Sequence, residues 1–401
     1  MTIDDYQVLQ RGPDGSAHVT LDTGEHITLP TGGPYQVSGA KNVLAGDLWV
    51  LAGQSNMEGV GDLVDVETPS ERVRSYQSRE EWAVAEEPLH WLGESPRLVH
   101  HKIGGRETVP DEPDPRDMGR TKGAGLGLTF AKERLARTHV PVGLIPAAHG
   151  GTSMAQWDPA LKGEGGASLY GATLERVRAN GGTVAGILWY QGESDCCAEG
   201  AALYAQRMTA LVQSFRDDLG QPDLPFYFVQ IGGVVSDPDP AGIDGWNGIR
   251  ETQRLWAKTL PHVSLVSAID LGLDDSIHIS TPDLKRLGRR LADAADGISA
   301  LALRDARLEN NGLRVRIGFD HVRGGLVSAG RPAGFSLRLA SGQELVRIYK
   351  TTLESDSAVL HLTEALPQGV NLWYGWGLNP YCNITDREDA AMPAFGPFPL
   401  S

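Results

Sequence analysis

The feature that most narrows the possible folds is a set of apolar runs joined by helical patterns. Residues 48–52 lead into Gly53-Gln54-Ser55-Asn56, residues 142–147 into His149-Gly150-Gly151-Thr152, and residues 184–190 into Gln191-Gly192-Glu193. Two more such runs cover 225–231 and 263–269. The runs are continuously apolar rather than alternating, as expected of strands buried on both faces. Helical patterns begin at Gly125-Leu126-Gly127 and cover 169–179, 201–219, 248–260 and 284–295. Strand and helix in strict alternation predict a parallel sheet with both faces covered. Ligands bind such sheets just beyond the carboxyl ends of the strands. Function is therefore sought in the residues that follow each run.

Each strand end supplies something different. Gly53 permits a sharp turn that lifts Ser55 off its strand, where it can act as a nucleophile with its own N–H toward an oxyanion. The duller role for such a serine is a helix cap. Gly150 and Gly151 let backbone N–H groups approach a ligand without obstruction. Gln191 carries an amide that can donate to a developing oxyanion; hydrogen bonding to backbone is its alternative. Three donors around one serine would provide the electrostatic stabilisation acyl transfer needs. A base comes from the last loop, 273–279, where Asp275 and His278 stand three apart. One turn brings that carboxylate to the imidazole, fixing its tautomer while the other nitrogen takes the serine proton. Ser, Asp and His then follow in that order along the chain, the serine on one strand end and the other two on another. His149 is the competing base but is expected to line the pocket. Trp157 and Trp189 suit either sugar stacking or the core, and Glu193 is expected to pair with Arg250 and brace the site.

The two ends of the chain read differently. Within residues 1–46, two short strands flank the turn Asp22-Thr23-Gly24, too little β structure to fold alone. After about residue 300 the pattern alternates with period two, as in 313–317, 335–339 and 359–362. The expected organisation is a β segment over 1–45 packing with a small antiparallel β domain over 301–401, so that both termini build one unit beside an enzyme domain over 46–300. The stretch 59–118 yields no clear elements, and its Trp82 and Trp91 are expected at the mouth of a pocket. Thirty-six Lys+Arg against 51 Asp+Glu give a net charge of −15, which argues against nucleic acid as a partner and toward a neutral substrate. Three cysteines without paired CxxC spacing form neither a disulfide framework nor a zinc site. No leader or membrane-spanning run is visible, so a cytoplasmic protein is expected, away from membranes.

Taken together, these motifs resemble those of the SGNH hydrolases, specifically the sialate O-acetylesterase-like carbohydrate esterases. The likeness rests on Gly53-Gln54-Ser55-Asn56-Met57-Glu58, Gly150-Gly151-Thr152 with Trp157, Trp189-Tyr190-Gln191-Gly192-Glu193-Ser194, and Asp275 with His278. It implies a three-layer α/β/α, flavodoxin-like domain that uses no metal or organic cofactor. Ser55 would be the nucleophile, His278 the base and Asp275 its orienting partner, acting through an acyl-enzyme. The N–H groups of Ser55 and Gly151 and the side chain of Gln191 would form the oxyanion hole. Gln54, Asn56, Gly150, Thr152, Trp157, Glu193 and Arg250 would support the site or bind substrate. Many relatives carry an acidic residue two before the histidine, where this chain has Ser276, so the adjacent Asp274 and Asp275 both remain open as the third member. The implied substrate is an acetylated carbohydrate, either a sialic acid or a plant polysaccharide. The alternative is a carbohydrate-binding protein with weak activity on the same fold.

Overall fold

The computed structural model describes residues 2–112, 116 and 119–400. Four short strands come first, β1 (Val8–Gln10), β2 (Ser16–Thr20), β3 (His26–Pro30) and β4 (Gly32–Val37). They lead into the 14-residue β5 (Ala40–Gly53) and the one-turn helix α1 (Ser55–Glu58). Next come β6 (Gly61–Asp62), β7 (Val73–Tyr76), β8 (Trp82–Val84), α2 (Leu98–Ile103) and β9 (Lys122–Ala124). The regular alternation then follows as α3 (Gly127–Thr138), β10 (Val142–Pro146), α4 (Leu169–Ala179), β11 (Gly186–Tyr190) and α5 (Ala198–Asp218). It ends with β12 (Phe226–Gln230), α6 (Pro240–Trp256), β13 (Val263–Ser267) and α7 (Thr281–Ala295).

The central sheet has the order β13-β12-β11-β5-β10-β7-β8, parallel except at β8. After β5 the chain passes to one side to make β10, then returns across β5 to make β11. That reversal puts a topological switch point at the carboxyl end of β5, where open α/β sheets form their binding crevice. Right-handed crossovers send helices made in opposite directions to opposite faces. Accordingly α3 packs against α7, and α5 against α6. Helix α7 shows why the layers hold: Leu284, Leu287 and Leu291 recur on one face and are buried, while Arg289 and Asp293 lie off that stripe.

Three features of the fold differ from the sequence expectation. Helix α6 begins at Pro240 rather than 248, because the Asp239 side chain caps it by accepting from the Gly242 N–H. Strands β7 and β8 join the central sheet from within the segment that read as irregular, of which residues 113–115, 117 and 118 lie outside the described residues. Arg74 and Ser75 masked β7, though all four of its residues are buried. The N-terminal strands do not share a β unit with the C-terminal ones. Instead β1 and β4 pair with the first half of β5, which extends beyond the central sheet, and Leu9, Val19, Leu21 and Val43 close a small core of their own. The C-terminal strands satisfy one another in separate antiparallel sheets, such as Ala302–Glu309, Arg314–Asp320, Ser357–Leu362 and Ile348–Leu353. Their core is Val315, Ile317, Leu337, Leu360 and Leu372.

Candidate active site

Ser55 opens α1 at the switch point. Gly53 makes the exit possible: its φ is +132°, and a Cβ there would lie 2.2 Å from the Tyr190 carbonyl oxygen. The Gln54 N–H donates to that same carbonyl at 2.8 Å, and its Oε1 accepts from the N–H groups of Gly192 and Ser194. Ser55 thus starts a helical turn whose first N–H groups have no acceptor within the helix. A Cβ on Gly150 would stand 3.4 Å from the Ser55 Cβ, so the glycine pair after β10 abuts the serine. Gly151 follows with φ +69° and open space where a side chain would be.

Asn56 ties three loops together. Its amide donates to Glu193 Oε1 at 2.9 Å and to the Ile277 carbonyl at 3.4 Å, and its Oδ1 accepts from the Ile279 N–H at 3.0 Å. His278 lies in the chain between those two backbone contacts. The His278 Nδ1 meets both Asp275 oxygens, at 2.8 and 3.0 Å. Asp275 Oδ1 also accepts from the N–H groups of Ile277 and His278, and Lys122 Nζ lies 3.3 Å from Oδ2. Partial burial opposes ionisation of Asp275, but these hydrogen bonds and the imidazole outweigh it and hold its pKa far below the usual carboxylate range.

Asp274 does other work. Its Oδ2 accepts from the N–H groups of Asp62 and Thr281 and from the Thr281 hydroxyl, tying β6 to the start of α7. Asp274→Ala is expected to lower thermal stability by about 1–3 kcal/mol through these unpaired groups. Its kcat should stay within about threefold of wild type, since its carboxylate is spent on these groups while Asp275 holds the imidazole. A kcat loss as deep as that of an Asp275 variant would reverse the two assignments.

Several expected roles need correction. Gln191 is fully buried and its amide N–H groups go to the Thr152 carbonyl at 3.1 Å and to Asp195 Oδ2 at 2.6 Å. With both donors used, it braces the loops after β10 and β11 instead of serving an oxyanion. Asp195, which the sequence reading passed over, completes that brace by accepting from the Met154 N–H. Glu193 and Arg250 do not form the expected ion pair. Arg250 instead donates to the carbonyls of Gly232, Gly375, Gly377 and Leu378. Burial pushes the Glu193 carboxyl up to about 7, against the lowering effect of its Asn56 bond. Trp157 and Trp189 are core, edge to face at 5.1 Å, with Trp157 Nε1 donating to the Thr152 hydroxyl. Trp82 is also core, bonded to Asn180. The Trp91 ring has the guanidinium groups of Arg116 and Arg120 at 5.1 and 5.0 Å. His149 bonds through Nδ1 to His100 at 2.9 Å rather than to a carboxylate, and burial lowers its pKa to about 4.

Glu58 went unassigned in the sequence, though it stands one turn after Ser55, the i+3 spacing that brings it to the same face. Its Oε2 accepts from the Gly150 N–H at 2.7 Å and so fixes the glycine pair next to the serine. Burial raises its pKa to about 7, while the Gly150 bond and the Arg120 charge pull the other way. Its ordinary value is 4.5, so between those values the folded chain holds the extra proton. The stability it contributes is complete below the lower value and is lost as pH rises through the upper one. Glu87 and Glu193 are shifted in the same direction. Glu58→Gln keeps an acceptor for Gly150 and is expected to reduce, not abolish, the fall in melting temperature between about pH 4.5 and 7. An unchanged slope would show that Glu58 does not titrate there.

Among the described residues, no group of three or more His, Cys, Asp or Glu is arranged to hold a metal ion. No helix is long and apolar enough to cross a membrane. A family model described as carbohydrate esterase, sialic acid-specific acetylesterase, matches residues 45–296. A probable carbohydrate esterase of Arabidopsis thaliana is 30% identical over 272 residues, covering 62% of this chain and 89% of that protein. The crystal structure of a carbohydrate acetylesterase from Xanthomonas citri matches with a TM-score of 0.71 at 24% identity, covering 98% of this chain and 97% of that one. The fold therefore has a counterpart that includes the C-terminal sheets.

Proposed function

The chain belongs to the carbohydrate esterases of the sialic acid-specific acetylesterase family, and we propose from that premise that it removes O-acetyl groups from a carbohydrate through Ser55, His278 and Asp275. It is a carboxylic ester hydrolase on a three-layer α/β/α domain. The observation that carries the residue assignment is Asn56, which joins the serine turn to the backbone on both sides of His278.

In this reading Ser55 Oγ attacks the acetyl carbonyl while His278 Nε2 takes its proton. Asp275 keeps the other nitrogen protonated and stabilises the imidazolium that forms. The N–H groups of Ser55 and Gly151 receive the oxyanion, and Glu58 fixes the approach of Gly151 through its bond to Gly150. The carbon–oxygen bond to the sugar breaks, and the sugar hydroxyl leaves with the proton from His278. Water, deprotonated by the same imidazole, attacks the acetyl-serine, and acetate departs as Ser55 regains its proton. The direct test is p-nitrophenyl acetate turnover together with acetate release from a panel of acetylated glycans. A folded protein that binds glycans but cleaves neither substrate would refute the esterase and favour a carbohydrate-binding role.

A further inference from the structure

A cleft of about 420 Å³ opens beside the catalytic loop, where the α/β domain meets the C-terminal β region. Asp275 lines it on one side, with Leu271 behind, and Asn379, Pro380 and Tyr381 line the other. Val235 forms its edge. The ledge is continuous with the catalytic loop, because the Val235 N–H donates to the Ser276 carbonyl and the Val234 N–H to that of Leu378. Tyr381 is 71% exposed and Val235 56%, so neither contributes much to the core. Among the described residues the exposed Asn379 amide makes no hydrogen bond.

Resting on the esterase reading, we infer that this ledge is a sugar subsite, in which Tyr381 stacks on the pyranose next to the acetylated one in a neutral glycan chain. Three arguments lead there. The apolar C–H face of a pyranose suits an exposed tyrosine ring, which offers area at low entropic cost. A free amide at the rim can both donate to and accept from ring hydroxyls. Asp275 lines the cleft and also holds the Nδ1 side of His278, so an occupant of the cleft lies one imidazole away from the ester that reacts at Nε2.

Charge decides which glycan fits. The cleft is lined by Asp275 and Asp270 and by no lysine or arginine, and of the two only the Asp275 side chain is appreciably exposed. Asp270 is neutralised by Arg286 and Arg290 on its far side, and Lys122 touches Asp275 from outside the cleft. A carboxylated sugar would meet Asp275 with no lysine or arginine in the lining to receive it, whereas a neutral chain carries no such penalty. The C-terminal region would then select the polymer while the α/β domain cleaves the ester.

The test measures acetate release from acetylated xylotetraose, acetylated mannotetraose and O-acetylated neuraminic acid, with p-nitrophenyl acetate as the small control. The wild-type enzyme is expected to prefer a neutral tetraose. Tyr381→Ala should raise KM on that substrate about tenfold with kcat and p-nitrophenyl acetate hydrolysis unchanged, and Tyr381→Trp should restore the KM. An unchanged KM in Tyr381→Ala, a preference for the neuraminic acid ester, or cleavage of p-nitrophenyl acetate with neither tetraose accepted would each overturn the subsite. A wild-type protein inert on every ester would instead overturn the esterase reading beneath it.

Discussion

Ser55→Ala is expected to lower kcat by roughly four to six orders of magnitude, leaving the residual catalysis that an oxyanion hole and binding alone supply. In the proposed mechanism attack, proton transfer and acyl-enzyme formation all pass through one oxygen, which makes the expected loss so large. The fold should survive. Among the described residues the Ser55 hydroxyl has no hydrogen bond, and the turn is fixed by Gln54 and Asn56 instead. A melting curve should therefore overlay that of the wild type while acetate release disappears. Retention of a tenth of normal activity by the alanine variant would remove Ser55 from the mechanism.

His278→Ala should be nearly as damaging, since Ser55 then has no acceptor for its proton. Asp275→Asn is expected to cost less, about 10²–10⁴-fold in kcat. Its Oδ1 would still accept from the Ile277 and His278 N–H groups, so the loop keeps its shape. Its amide would face the imidazole with a donor and favour the wrong tautomer. The two losses should not add in the double variant, because both remove the same base. Additive losses would mean that Asp275 acts on something other than His278.

The sequence made the strand ends of the candidate site legible because each combines a backbone requirement with a chemical one. A glycine at 53 followed by a serine, or two glycines at 150 and 151, has little purpose inside a strand. Strands on both sides of β5 were readable for a related reason, since full burial leaves an unbroken apolar run. What stayed hidden was polar. Val73–Tyr76 joins the sheet despite its arginine, because the Arg74 guanidinium lies over the Tyr6 ring and pairs with Glu71. The destination of a side chain was equally hidden. Gln191 carries the right group for an oxyanion hole, yet only the positions of Thr152 and Asp195 reveal that its donors are spent. Two adjacent aspartates could not be told apart by spacing, and the separation comes from what α7 and β6 need. The partner of the N-terminal strands was misjudged because the 14-residue β5 begins well before the apolar run 48–52, and its first half is where they pair.

Arg250 sets a limit on how freely this protein can be re-assorted. Its fully buried guanidinium is held by one carbonyl from the α/β domain, at Gly232, and by those of Gly375, Gly377 and Leu378 from the far end of the chain. Gln230 adds a reciprocal pair of bonds to Ala394. The two regions are thus stitched through charged and polar groups that cannot be left bare. Grafting the C-terminal region of another esterase onto this one would have to reproduce three carbonyl positions, or strand a cation in the interior. Diversification of this enzyme should therefore proceed by single changes along its rim, with the joint itself inherited whole.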